Sequence, residues 1–205
     1  TDTPSPTPTA TDTATPTSPP VPIVPPCIDP ATVTGRLPSA DTYIDGGNPA
    51  TNYGAANRFF VRPDNNADER GLLRFDLSDI PNGATVTSAT LYLYGSNTAN
   101  NQVISIYSVT TAWTETGATW QSWTTPGGDF DNRTAYAAFI PTQVNCSAAI
   151  DLTGLVQEWV DGSLPNHGML LFATGSNHAF SFSTKEDSTS LERAPHLEVV
   201  VTGNE

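Results

Sequence analysis

The chain carries three histidines, His167, His178 and His196. None has the His-x-His or His-Glu-x-x-His spacing that puts two imidazoles on one metal. No Gly-x-Ser-x-Gly elbow and no glycine-rich phosphate loop occurs. Acid pairs do occur, Asp129 with Asp131 and Glu186 with Asp187. A glycosidase needs two carboxylates facing each other across a sugar bond, one of them held protonated. Turn acids are far more often simply solvated. These residues predict a chain that is not an enzyme and has no organic cofactor.

Binding chemistry has more to work with. Sugar-binding sandwiches stack rings on exposed aromatic faces beside amide and carboxylate groups. Trp113, Trp120 and Trp123 crowd one glycine- and threonine-rich stretch, and Tyr92 and Tyr94 share one face of a strand pattern. Tyr92 and Tyr94 on the strand, or Trp120 and Trp123 in the loop, are the candidate sugar contacts, with Trp123 expected to be the exposed ring. Structural calcium takes six to eight oxygens from carboxylates, amides and carbonyls. Asp41, Asp45 and Asn48 in DTYIDGGN are the candidate ligands, and GGDFDN (127–132) is a second oxygen-rich turn.

Net charge is −13, with only eight basic residues in 205. Nucleic acid is therefore not an expected partner, because phosphate binding needs a basic face. No apolar run approaches the length of a membrane span. A start at Thr1 fits a processed chain or a fragment. Cys27 and Cys146 are the two cysteines, and an even pair suits one disulfide in an oxidising, extracellular or cell-surface setting. Bridging so long a loop is worth about 4–5 kcal/mol in the chain-entropy picture. Asn132 and Asn145 stand in N-glycosylation sequons.

Residues 1–26 form an arm of nine prolines and ten serines or threonines. Each proline removes a donor and fixes φ, so the segment reads as an extended, polyproline-like rod. Thr3, Thr7, Thr9, Thr11, Thr13, Thr15 and Thr17 are candidate O-glycosylation sites. Val21, Ile23 and Val24 end the arm as its only apolar cluster. Residues 27–40 read as a transition and 41–205 as one β-sandwich domain.

The elements follow from periodicity. In residues 69–78 Leu73, Phe75 and Leu77 share a face, and in 85–96 Ala89, Leu91 and Leu93 do. VISIYSVT (103–110) is rich in β-branched residues. AFIPTQV (138–144) suits an edge, since Pro141 forbids a central strand. Leu152, Leu155, Val156, Trp159 and Val160 fall on one helical face, with Asp151 placed to cap the start and Gly162 the end. Gln157 and Glu158 are expected to face outward. Further strands at 168–174, 179–185 and 196–202 complete an all-β sandwich with one short helix at about 152–161.

Six segments together resemble the DNRLRE domain family: ADTYID (40–45), RGLLRFDLSDIPNGATVTSATLYLY (70–94), AWTETGATW (112–120), IDLTGLVQEWVDGSLPNHGMLLF (150–172), FSTKE (182–186) and APHLEV (194–199). The resemblance covers about residues 40–202. It implies a jelly-roll-like β-sandwich in secreted or surface-attached modular proteins, some of them treated as carbohydrate-binding modules. It does not account for the arm.

Two functions follow as expectations. One is a non-catalytic extracellular subunit that assembles head to tail with copies of itself, its glycosylated arm docking on a neighbour through Val21, Ile23 and Val24. The alternative is a secreted carbohydrate-binding module on a flexible glycosylated stalk.

Overall fold

The computed structural model describes residues 19–64, 67–95, 102–133, 135–175 and 177–202. The arm's threonines at 3–17 lie outside them, as does Thr134 of the first sequon. Strands β1 (Cys27–Ile28), β3 (Arg58–Val61), β5 (Thr85–Gly95), β8 (Cys146–Asp151), β10 (Phe180–Ser183) and β11 (His196–Thr202) make one sheet. Strands β2 (Ala40–Asp45), β4 (Glu69–Arg74), β6 (Val103–Ser108), β7 (Ala137–Phe139) and β9 (Met169–Thr174) make the other, in the order β2-β4-β9-β6-β7. Every strand pair is antiparallel. This is the all-β sandwich that the alternating patterns predict.

The two sheets close on one core. Ala89, Leu91 and Leu93 of β5 face Leu73 and Phe75, Ile104 and Ile106 of β6, and Leu171 of β9. β5 is long enough to pair with β8 and β11 along its length and to meet β10 at Gly95. The helix α1 (Thr153–Asp161) buries Leu155, Val156, Trp159 and Val160, the expected face. Gly162 ends it at φ 70°, a left-handed turn that glycine adopts without strain. Asp151 is not the N-cap: Leu152 holds that position without a side-chain cap, and Asp151, one residue earlier, accepts the Thr153 N–H at 2.9 Å. Gln157 does not simply face solvent: it accepts from Val86 N at 2.7 Å and donates to Ala84 O at 3.1 Å, tying helix to strand. Glu158 accepts from the Tyr136 hydroxyl at 2.5 Å.

The segment leading into the sandwich is woven into it. Ile23 N donates to Ala138 O at 3.1 Å and Ile23 O accepts from Ile140 N at 2.8 Å, so Ile23 runs parallel to β7. A few residues later β1 pairs with β8, and a disulfide joins Cys27 to Cys146 across 119 residues. Arg36 exchanges both backbone hydrogen bonds with Leu197. Residues 23–28 thus cover an edge of each sheet, where unpaired N–H and C=O groups would otherwise stand open.

A second apolar cluster lies on the outer face of the five-stranded sheet. Ala40, Ile44, Leu72 and Leu170 point away from the main core, and Val109, Trp113, Ala118 and Trp123 cover them from the loop that follows β6. A sheet face this apolar must be covered, and the tryptophan-rich loop covers it.

Candidate functional site

Strand alternation decides what the rest of that outer face presents. In β6 Ile104 and Ile106 point inward, so Val103, Ser105 and Tyr107 point out. Phe172 of β9 lies opposite Ser105 and shares that face, as does Arg70 of β4. The loop adds Trp120 and Phe130. Four aromatic rings, Tyr107, Trp120, Phe130 and Phe172, remain partly exposed. The Arg70 guanidinium stands 4.7 Å from the Phe172 ring, 4.8 Å from Trp120 and 5.7 Å from Phe130, and Tyr107 lies 5.2 Å from Phe130. Such cation–π contacts hold the rings in fixed positions around one charge.

The platform depends on two glycines. Gly127 (φ 99°) and Gly128 (φ 101°) are in the left-handed range. A Cβ on Gly127 would come within 2.8 Å of Arg70 and 2.9 Å of Trp120, and one on Gly128 within 2.8 Å of Leu170. Gly127 O also accepts from Arg70 Nη1 at 2.7 Å. Asp68 Oδ2 accepts from Arg70 Nη2 at 3.0 Å, so this cation is paired as well as stacked.

A cleft of about 430 Å³ opens beside Phe172. Asp64, Asp68, Thr174 and Asn177 line it along with that ring. An aromatic wall with a few convergent polar groups is the usual make-up of a small-molecule site. Among the described residues, two larger hollows lack an exposed ring. One of about 570 Å³, near Arg74 and Asn166, has Trp159 at 7% exposure, and one of about 600 Å³ beside Arg36 has no aromatic lining.

Several expected contacts are placed elsewhere. Trp123 is buried, at 8% exposure, and is not the exposed ring. The outer face of the sheet draws it inward, and only its edge borders a cleft of about 360 Å³ shared with Trp113 and several threonines. Tyr94 is also buried, with Arg193 stacked on it at 4.9 Å. Tyr92 is partly buried and donates its hydroxyl to Glu198 at 3.0 Å. The sequence reading missed Tyr107, Phe130 and Phe172. The alternation of VISIYS does put Tyr107 opposite the buried isoleucines, so that signal was available.

The expected calcium residues separate into two groups. Asp45 accepts from Gly47 N at 2.7 Å, Asn48 Nδ2 at 2.7 Å and the Tyr53 hydroxyl at 3.2 Å, closing the turn after β2. Asp41 is wholly buried and faces another centre. Its carboxylate accepts from Lys185 N at 2.8 Å and Lys185 Nζ at 2.9 Å. Lys185 Nζ also bonds Glu115 and lies 2.8 Å from Glu186. Among the described residues, Asp41, Glu115 and Glu186 form the one carboxylate group close enough to share an ion, and an ammonium already bridges them. Burial pushes the Asp41 carboxyl up to about 7, although Lys185 opposes the shift. Burial also opposes the charge on Lys185, but bonds to Glu115, Glu186 and Asp41 outweigh it and hold the ammonium above the ordinary lysine range.

The acid pairs hold turns. Asp129 accepts from Thr124 N and Thr125 N, Asp131 pairs with Arg133 at 2.9 Å, and Asp187 accepts from Ser183 and Thr189. Asn132 and Asn145 are exposed, and Asn145 is left-handed at φ 59°. Val21, Ile23 and Val24 keep exposed side chains, although the Ile23 backbone is paired within its own chain.

The family model described as carbohydrate-binding module family 96 matches residues 32–200. No curated protein matches the chain.

Proposed function

The chain belongs to carbohydrate-binding module family 96, and from that premise we propose that it is a non-catalytic module that holds a glycan on the outer face of its five-stranded sheet. The observation that carries this is the set of partly exposed rings, Trp120, Phe130 and Phe172 around Arg70 with Tyr107 packed on Phe130, beside a polar-lined cleft. A sugar ring presents apolar C–H groups on its faces and hydroxyls on its rim. Phe172 offers a surface for the first, and Asp64, Asp68 and Asn177 offer partners for the second. Rings locked by Arg70 lose little freedom on binding, which favours affinity.

The Cys27–Cys146 disulfide supports an extracellular or surface setting. The resemblance to DNRLRE domains points the same way. The arm is then a stalk, with O-glycosylation at its threonines as part of this proposal. Head-to-tail assembly has less support, because the backbone of Ile23 already pairs with the chain's own β7. Native electrophoresis through gels containing different polysaccharides tests the site. At least one polysaccharide should retard the protein, and Phe172→Ala and Tyr107→Ala should each abolish the retardation. Retention of the shift in both variants would refute this location.

A further inference from the structure

Half of the outer edge of β11 is uncovered. Leu197 exchanges both backbone hydrogen bonds with Arg36, so its N–H and C=O point away from β5. Strand alternation turns those of Val199 and Val201 the same way. The facing residues of β5 agree. Ala89, opposite Val199, donates to Thr153 Oγ1 and accepts from Leu152 N on its far side, and Val86, opposite Val201, donates to Gln157. The register shift between Val200 and Val201 falls on Thr87 of β5, so β11 itself runs on unbroken. Among the described residues, nothing pairs with the main chain of Val199 or Val201 on the outer side. The strand, HLEVVVT, also lacks the lysine or proline that commonly blunts an open edge.

A cleft of about 600 Å³ lies beside this edge, lined by Thr34 to Arg36, by Asp76, Ser78 and Asp79, and by Val199 itself. Its charged lining is Asp76, Asp79, Glu198 and one cation, Arg36. Arg36 is taken by Asp79 at 2.5 Å. Asp76 accepts from Ser78 N, and Glu198 accepts from the Thr34 and Tyr92 hydroxyls, so two carboxylates stand without a cation.

Three kinds of strand fit an open edge. A second copy would bring the same carboxylates to a chain that already carries −13. The chain's own residues 1–26 contain no lysine or arginine, and their nine prolines have no N–H to donate. The carboxylates select instead a strand that brings cations. We propose that the open edge of β11 takes up an extended basic segment of a partner protein as an added strand, its main chain bonding Val199 and Val201 and a lysine or arginine reaching Asp76 and Glu198. In strand addition the main-chain bonds supply affinity and the side chains supply selectivity. The edge belongs to the six-stranded sheet, so it does not depend on the aromatic face of the other sheet.

The probe is an end-blocked peptide of alternating lysine and valine, added to the isotope-labelled intact chain. Amide shifts and hydrogen exchange at Val199 and Val201 are read. Both amides should shift and become protected, about 0.5 M NaCl should weaken binding tenfold or more, and a glutamate–valine peptide should not bind. Asp76→Asn with Glu198→Gln should weaken binding of the lysine peptide tenfold or more. Val199→Pro removes one outward N–H and no bond to β5, a change that an edge strand tolerates. It should abolish binding with the circular dichroism spectrum unchanged. The fully N-methylated lysine peptide keeps its charges but donates no main-chain bond, and it should not bind the unaltered chain. Equal binding of the lysine and glutamate peptides, or of the methylated and unmethylated ones, would overturn the proposal, as would an absence of protection at both amides. Protection that rises with protein concentration, without peptide, would assign the edge to a second copy and overturn it too.

Discussion

Lys185 Nζ lies 2.9 Å from Asp41 Oδ1, joining residues 144 positions apart. Glu115 completes the junction by bonding Lys185 Nζ and accepting the Asp41 N–H at 2.8 Å. Three sequence segments that carried the family resemblance, at 40–45, 112–120 and 182–186, therefore meet at one ammonium. The junction pins the tryptophan-bearing loop to β2 and to the turn after β10.

Removing the cation should be costly. Above pH 7, where Asp41 is ionised, Lys185→Met leaves it buried without its counter-charge, and losing one partner of a buried pair costs as much as about 3–5 kcal/mol; at lower pH, where Asp41 is protonated, the loss is smaller. Urea unfolding should show a drop of about that size. Glu115→Gln should cost less, since Glu115 is partly exposed and its amide oxygen can still accept from Asp41 N. Equal losses in the two variants would mean that Asp41 does not depend on the charge of Lys185.

Asp41 also sets a pH dependence. Its carboxyl titrates near 7 when folded, raised by burial from the ordinary 3.8. Between about pH 4 and 7 the folded chain keeps a proton that the unfolded chain has released. From this group, stability falls as pH rises through that window, by at most ~1.4 kcal/mol per pH unit. Asp131 acts at lower pH: its bonds from Arg133 hold it below the usual range, so its contribution is lost only as pH falls below about 4. Thermal melts at pH 4.5, 5.5 and 6.5 should show the Asp41 slope, and Asp41→Asn should flatten it.

The two buried tryptophans of the loop should respond differently to loss of the indole N–H. Trp113 Nε1 donates to His167 O at 2.7 Å, whereas Trp123 Nε1 has no partner among the described residues. Trp113→Phe loses a bond and leaves a carbonyl unmatched, at about 1–3 kcal/mol. Trp123→Phe loses only ring volume and should cost less. Denaturation midpoints of the two variants decide it, and a larger loss at Trp123 would contradict the bonding described.

The sandwich was legible because period-two alternation in β5 and β6 and the helical stripe at 152–160 each answer to one dominant core. The outer face was harder to read. Leu72 and Leu170 look like polar-side positions that happen to be apolar, and only the folded loop shows that they form a second core. Once that core exists, Trp123 must turn inward, and Phe172 and Phe130 are left as the surface rings. Local periodicity carries no information about which distant loop will cover a sheet. The same limit applies to Ile23, whose apolar side chain suggested a neighbour's groove while its backbone pairs with β7 of its own chain.

Reducing or removing the disulfide should loosen one side of the molecule more than the rest. Cys27 holds the segment whose Ile23 pairs with β7. Cys27→Ser with Cys146→Ser should cost as much as about 4 kcal/mol. Hydrogen exchange should quicken at the Ile23 and Ile140 amides before it does in β5. Uniform loss of protection across the sandwich would show that the segment does not open separately.

Gly127→Ala tests whether the aromatic platform needs its loop as folded. The residue sits at φ 99°, and the new Cβ would press on Arg70 and Trp120 at under 3 Å. Backbone strain of this kind costs about 1–3 kcal/mol. The loop can relieve it only by lifting away, which separates Gly127 O from Arg70 and frees the rings that Arg70 holds. Glycan affinity should therefore fall by tenfold or more at temperatures where circular dichroism shows the sandwich intact. Gly154→Ala is the control, because a Cβ there meets nothing within 4 Å. Alanine at a helical position should leave both binding and stability unharmed. Unchanged affinity in Gly127→Ala would show that the glycan does not use the surface that Arg70 and Trp120 organise.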